Sequence, residues 1–68
     1  MKYRLDAIIN GEERISKVFS NRNKANKYLD KVLDIYNLEV NEIVNTNNSK
    51  HNIEYICDGY NHISINRI

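Results

Sequence analysis

One stretch of the chain, Arg22 to Tyr36, carries a sustained helical period. Ala25, Tyr28, Leu29, Val32, Leu33 and Tyr36 recur at the i, i+3, i+4, i+7, i+8, i+11 spacing that lines one side of an α-helix. Asn23, Asn26, Lys27, Asp30, Lys31 and Asp34 occupy the other side. Ser20 or Asn21 can cap the start, because a short polar side chain there accepts from an orphan amide. Asn37 is a plausible stop, since Asn tolerates the left-handed conformation. An amphipathic helix must bury its apolar stripe against another layer. The simplest such layer is one face of a sheet.

The flanking segments read as strands. Lys2 to Ile9 alternates, with Tyr3, Leu5, Ala7 and Ile9 on one face and Lys2, Arg4, Asp6 and Ile8 on the other. Asn10-Gly11 is a hairpin signal, and Arg14 to Phe19 is the return strand. A loop of Asn10 to Glu13 pairs Ile8 with Ile15, Asp6 with Lys17 and Leu5 with Val18, which is preferred over a two-residue turn for its cross-strand pairs. Leu38 to Asn45 is a third strand with Leu38, Val40 and Val44 on one side. A polar loop, 46–52, leads to Ile53–Cys57, a turn at Asp58-Gly59, and His62–Arg67. A three-residue loop, Asp58 to Tyr60, pairs Tyr55 with Ile63 and Ile53 with Ile65. The expected fold is therefore α+β, in the order β-β-α-β-β-β, with one amphipathic helix on a largely antiparallel sheet. The β-β-α-β-β portion resembles a β-grasp arrangement in the order of its elements.

At 68 residues the chain is expected to form one domain, 1–68. A domain this small buries only about 60% of its unfolded surface. Cys57 is the only cysteine, so no internal disulfide framework supplements the core. Additional stability must come from tight packing, self-association or a partner. No signal-like apolar run opens the chain and no stretch reaches membrane-spanning length, so a cytoplasmic protein with no membrane partner is expected. Asn, Ile, Lys and Tyr are abundant, while Pro and Trp are absent. These abundant residues have A/T-rich codons, and the chain is similar in style to small phage and mobile-element proteins of low-GC bacteria.

Catalytic and metal-binding patterns are weak. Cys57, His62 and His51 are the right types for zinc, but no standard ligand spacing is present. Cys57 with His62 as nucleophile and base lacks an orienting group and an oxyanion site in the pattern. Glu12 and Glu13 are adjacent at a turn, where successive side chains diverge. The sequence carries no Gly-rich phosphate loop. The expectation is a non-enzymatic protein with no cofactor and no metal site.

Binding residues are easier to nominate. Arg22, Lys24 and Lys27 open the helix, and Asp30 and Asp34 follow. This is the reverse of what the helix macrodipole favours. Tyr60, beside a tight turn, is a candidate aromatic anchor for a partner. Ile8, Ile15, Phe19 and Ile43 are expected on the face that the helix leaves open, where they would be covered by another protein or a second copy. The leading expectation is thus a small interaction protein of phage or mobile-element type. It would bind a host or defence protein stoichiometrically, as an inhibitor, or pair with itself as a homodimer. Its contact residues would be Arg22, Lys24, Lys27, Tyr60, Ile8, Ile15 and Phe19. The alternative is a small nucleic-acid-binding protein that uses the basic helix start and Lys17. Against this, the net charge is only +1, whereas nucleic-acid modules usually concentrate excess positive charge.

Overall fold

The computed structural model describes residues 1–45 and 51–68. The elements run β1 (Tyr3–Ile9), β2 (Glu13–Phe19), α1 (Arg22–Ile35), β3 (Val40–Asn45), β4 (Asn52–Cys57) and β5 (His62–Arg67). The order of elements is the expected one, and the class is α+β. Residues 46–50 of the expected polar loop lie outside the described residues.

The five strands form one sheet in the order β2-β1-β5-β4-β3, with every pairing antiparallel. β1 and β5 meet at the centre of the sheet and run antiparallel, so the likeness to a β-grasp stays at the order of elements. β2 and β3 lie at opposite edges and point the same way. The chain must therefore travel back along the sheet between them, and α1 makes that return.

The helix ends follow from local chemistry. Asn21 is the N-cap, and its side chain accepts from the Lys24 amide at 3.0 Å. At the other end Asn37 adopts φ 53°. The Leu38 amide reaches back to the Leu33 carbonyl at 2.8 Å, and the Asn37 amide to Asp34 at 3.2 Å. This is a Schellman closure. It takes Leu38 out of the third strand, which starts at Val40.

Ala25, Leu29 and Val32 of α1 are buried against Tyr3, Leu5, Ala7 and Ile9 of β1 and against Cys57, Ile63 and Ile65. Tyr28, Leu33, Tyr36 and Leu38 pack at the margin of this core. The second hairpin has the expected register: Tyr55 pairs with Ile63, and Ile53 with Ile65.

The first hairpin differs from expectation by one residue. Its loop is Asn10–Glu12, which pairs Ala7 with Ile15 and Tyr3 with Phe19. Because side chains alternate between faces, this single step turns the whole of β2 over. Ile15 and Phe19 lie on the helix-covered face, packed against the core, and not on the open face. Ile43 also lies on the helix side, opposite Tyr55. It remains 62% exposed because α1 lies nearest β1 and β2. A register shift between Val40 and Glu42 likewise puts Val40 and Val44 on opposite faces.

The open face is therefore mostly polar. Arg4, Asp6, Arg14, Ser16, Glu54, His62, Ser64 and Asn66 occupy it. Its apolar residues are Ile8 and Ile56 near one end, with Val18 and Val44 on the two edge strands. The broad apolar face expected from the sequence shrinks to the Ile8–Ile56 pair.

Candidate binding surfaces

Two turns meet at one end of the sheet. The Gly11 amide donates to the Tyr60 carbonyl at 2.8 Å, and the Asn10 amide to the Asn61 side chain at 2.8 Å. Asn61 in turn donates to the Asp58 carbonyl at 2.6 Å. Asn10 and Gly11 both have positive φ, 55° and 73°. A Cβ on Gly11 would stand 3.4 Å from the Tyr60 Cβ, an ordinary contact, so it is the positive φ that calls for glycine. Asn41 further ties β3 to Asp58 by a side-chain hydrogen bond.

Tyr60 projects from this stitched end and is 83% exposed. With Ile8, Ile56, Glu54 and His62 it lines a concavity of about 460 Å³. The His62 Nε2 lies 3.5 Å from the Glu54 carboxylate. The structure thus brings Ile8 and Tyr60 together. It adds Ile56, which β4 points to the open face opposite His62.

A second surface lies on the helix side, beside the β2 edge. Phe19, Tyr28, Lys24, Lys27, Lys31, Asp30 and Asp34 line an open groove of about 540 Å³. The rings of Phe19 and Tyr28 are tilted against each other with centroids 5.4 Å apart. The Lys17 ammonium sits over the Tyr28 ring, 4.8 Å from its centroid. Phe19, Lys24 and Lys27 are therefore gathered here. Arg22 stands at the adjacent helix start, and Ile15 is two residues away from Lys17 on the same strand face. Sequence reasoning assigned Tyr28 to the core by its helical phase. It is in fact a half-buried ring that borders both core and groove.

Charge is segregated between the two ends. Phe19, Tyr3 and Arg67 are aligned across the sheet at one end, and α1 begins there. Lys2, Lys17, Arg22, Lys24, Lys27 and Arg67 cluster towards that end. Glu12, Glu13, Asp34, Glu39, Glu42 and Asp58 cluster towards the turn end, where Tyr36 at the close of α1 donates to Glu13. Among the described residues, Arg14 is the cation that falls on the acidic side. The ends are about 20 Å apart along β1, roughly twice the screening length at physiological salt. A net charge of +1 therefore conceals two oppositely charged poles that act on their surroundings separately.

Cys57 and His62 face opposite sides of the sheet: Cys57 is buried beneath the helix, whereas His62 pairs with Ile56 on the open face. Burial, with Asp58 beside it, pushes the Cys57 thiol pKa up, away from the reactive thiolate. Among the described residues, no group of three or more His, Cys, Asp or Glu side chains is placed to hold a metal ion. Among them too, no helix is long and apolar enough to cross a membrane. Comparison with protein-family models, with curated proteins and with solved structures gives no match.

Proposed function

We propose that this protein acts by contact, as a non-enzymatic binding protein that seats Tyr60 in an apolar pocket of a protein partner. The observation that carries this reading is the combination at Tyr60 of an exposed ring and a backbone tied to the opposite turn. A tied backbone reduces the ordering that binding must impose on the turn, and exposed aromatics of this kind dominate interface energetics. Ile8 and Ile56 extend the apolar surface beneath it. The surrounding acidic residues favour a partner whose pocket is rimmed by Lys or Arg. Occlusion of that pocket is the mechanism, and inhibition of a host or defence protein is its consequence. The composition supports a phage or mobile-element origin.

The test is capture from a host lysate with the wild-type chain and with Tyr60→Ala. We expect one protein retained in near-stoichiometric amount by the wild type. Tyr60→Ala should weaken that binding by about 30-fold, corresponding to a hot-spot loss near 2 kcal/mol. Capture that is equal for both chains, with the variant folded by circular dichroism, would overturn this assignment.

A further inference from the structure

We infer that the groove beside α1 is a second binding site and that its occupant is single-stranded nucleic acid. It lies at the cationic pole, away from Tyr60, and stands independently of the protein contact. Three observations converge. The floor is aromatic, formed by Phe19 and Tyr28, and flat rings accept unpaired bases of any sequence. The wall is a row of cations, Lys24, Lys27 and Lys31, on successive turns of one helix. That row rises about 10 Å and so presents its cations along the path of a backbone lying in the groove. The surrounding pole is positive, and the start of α1, with no acidic residue in its first turn, adds its dipole in the same sense.

Lys17 fits the same occupant. Its ammonium caps the Tyr28 ring in the free protein. Stacking on a base is stronger than an exposed cation–π pair. A base can therefore take the ring while the flexible ammonium swings to a neighbouring phosphate. Asp30 and Asp34 also line the groove. Asp34, beyond Lys31, repels a phosphate backbone at the far end and limits it to the stretch of the three lysines. A duplex keeps its bases stacked internally and offers the rings nothing, so the aromatic floor selects the single strand.

The experiment is fluorescence anisotropy of a labelled 12-nucleotide oligo-dT titrated with the full chain. The same duplexed length and a polyglutamate peptide serve as competitors. We expect binding at low salt, with log K falling against log salt with a slope of about −2, as three single-strand phosphate contacts require. Lys24→Glu with Lys27→Glu should reduce affinity by more than about tenfold. Tyr28→Leu should reduce affinity for the single strand more than for the duplex, with thermal melting confirming that the variant is folded. No binding at low salt would overturn the proposal, as would binding unchanged in the double lysine variant. Equal competition by polyglutamate with no dependence on Tyr28 would assign the groove to an acidic protein segment instead. Equal affinity for single and double strands would remove the stacking role and with it the inference.

Discussion

Single residues set several energies in this protein. Asn21 satisfies an amide that the first helical turn leaves without a partner. Asn21→Ala is expected to cost about 1 kcal/mol, measurable as a fall of roughly 4–8 °C in the thermal midpoint of a domain this size. Asn26 is the contrary case: its Oδ1 is buried with no hydrogen-bond partner among the described residues. Asn26→Ala removes that orphan acceptor and improves helix propensity, so urea denaturation should show a gain of about 0.5–1 kcal/mol. Asp6 links stability to pH. Its partial burial opposes ionisation, but the Ser16 hydroxyl at 2.7 Å and the Arg4 guanidinium at 2.8 Å outweigh it, holding the carboxyl pKa below the ordinary aspartate value. A lowered folded-state pKa contributes stability above the unfolded value, and that contribution is lost as pH falls through the folded one. The urea midpoints of wild type and Asp6→Asn should therefore differ at neutral pH. The part of that difference due to ionisation should fade below about pH 3.8.

At the scale of elements, the clearest lesson is the first hairpin. Alternation in Lys2–Ile9 and the Asn10-Gly11 signal were sufficient to place both strands. They were not sufficient to fix the loop length, because cross-strand pairs alone favour a four-residue loop over a two-residue turn. The three-residue loop prevails because it carries Ile15 and Phe19 onto the helix side, where Phe19 meets Tyr28. Burial under the helix, a tertiary gain, thus outweighs the Asp6–Lys17 pair that local reasoning favoured. Instead Asp6 is satisfied by Ser16 directly opposite. Gly11 supplies the positive φ of this turn, whose amide there bonds to the Tyr60 carbonyl. Gly11→Ala, strained at positive φ, should destabilise the fold by about 1 kcal/mol or more, read by thermal melting.

The helix shows a different relation between stability and function. Its first turn carries Arg22 and Lys24 and no acidic residue, an arrangement that opposes the macrodipole. Lys24→Glu should stabilise the folded protein by about 0.3–1 kcal/mol at low salt while weakening the groove's hold on a polyanion. A melt and a binding titration on this one variant would move in opposite directions.

At the scale of the whole molecule, so small a core leaves little reserve. A chain of this length is expected to be stable by roughly 3–10 kcal/mol. Leu5 is fully buried at the centre of the core, and Leu5→Ala should cost about 3–5 kcal/mol. Equilibrium unfolding should find that this variant has lost at least about a third of the wild-type stability. The two charged poles also belong to this scale. They arise because α1 starts beside Phe19 and ends beside Glu13, so cations early in the helix join Lys17 while Asp34 joins the acidic turns.

What the sequence determined by itself is what acts within a turn or along one strand. The helix span, a cap at Ser20 or Asn21, the Asn37 stop, the alternation of β1 and the second hairpin's register are all legible there, because caps, periodicity and tight turns involve near neighbours. The tertiary structure alone decided which face Ile15 and Phe19 occupy. It also decided that Ile8 and Ile56 flank His62 in the concavity lined by Tyr60, and that a chain of net charge +1 presents a basic aromatic groove towards one end and acidic residues around Tyr60 at the other. These depend on a one-residue choice of register and on sheet order, both set by burial between residues distant in the chain.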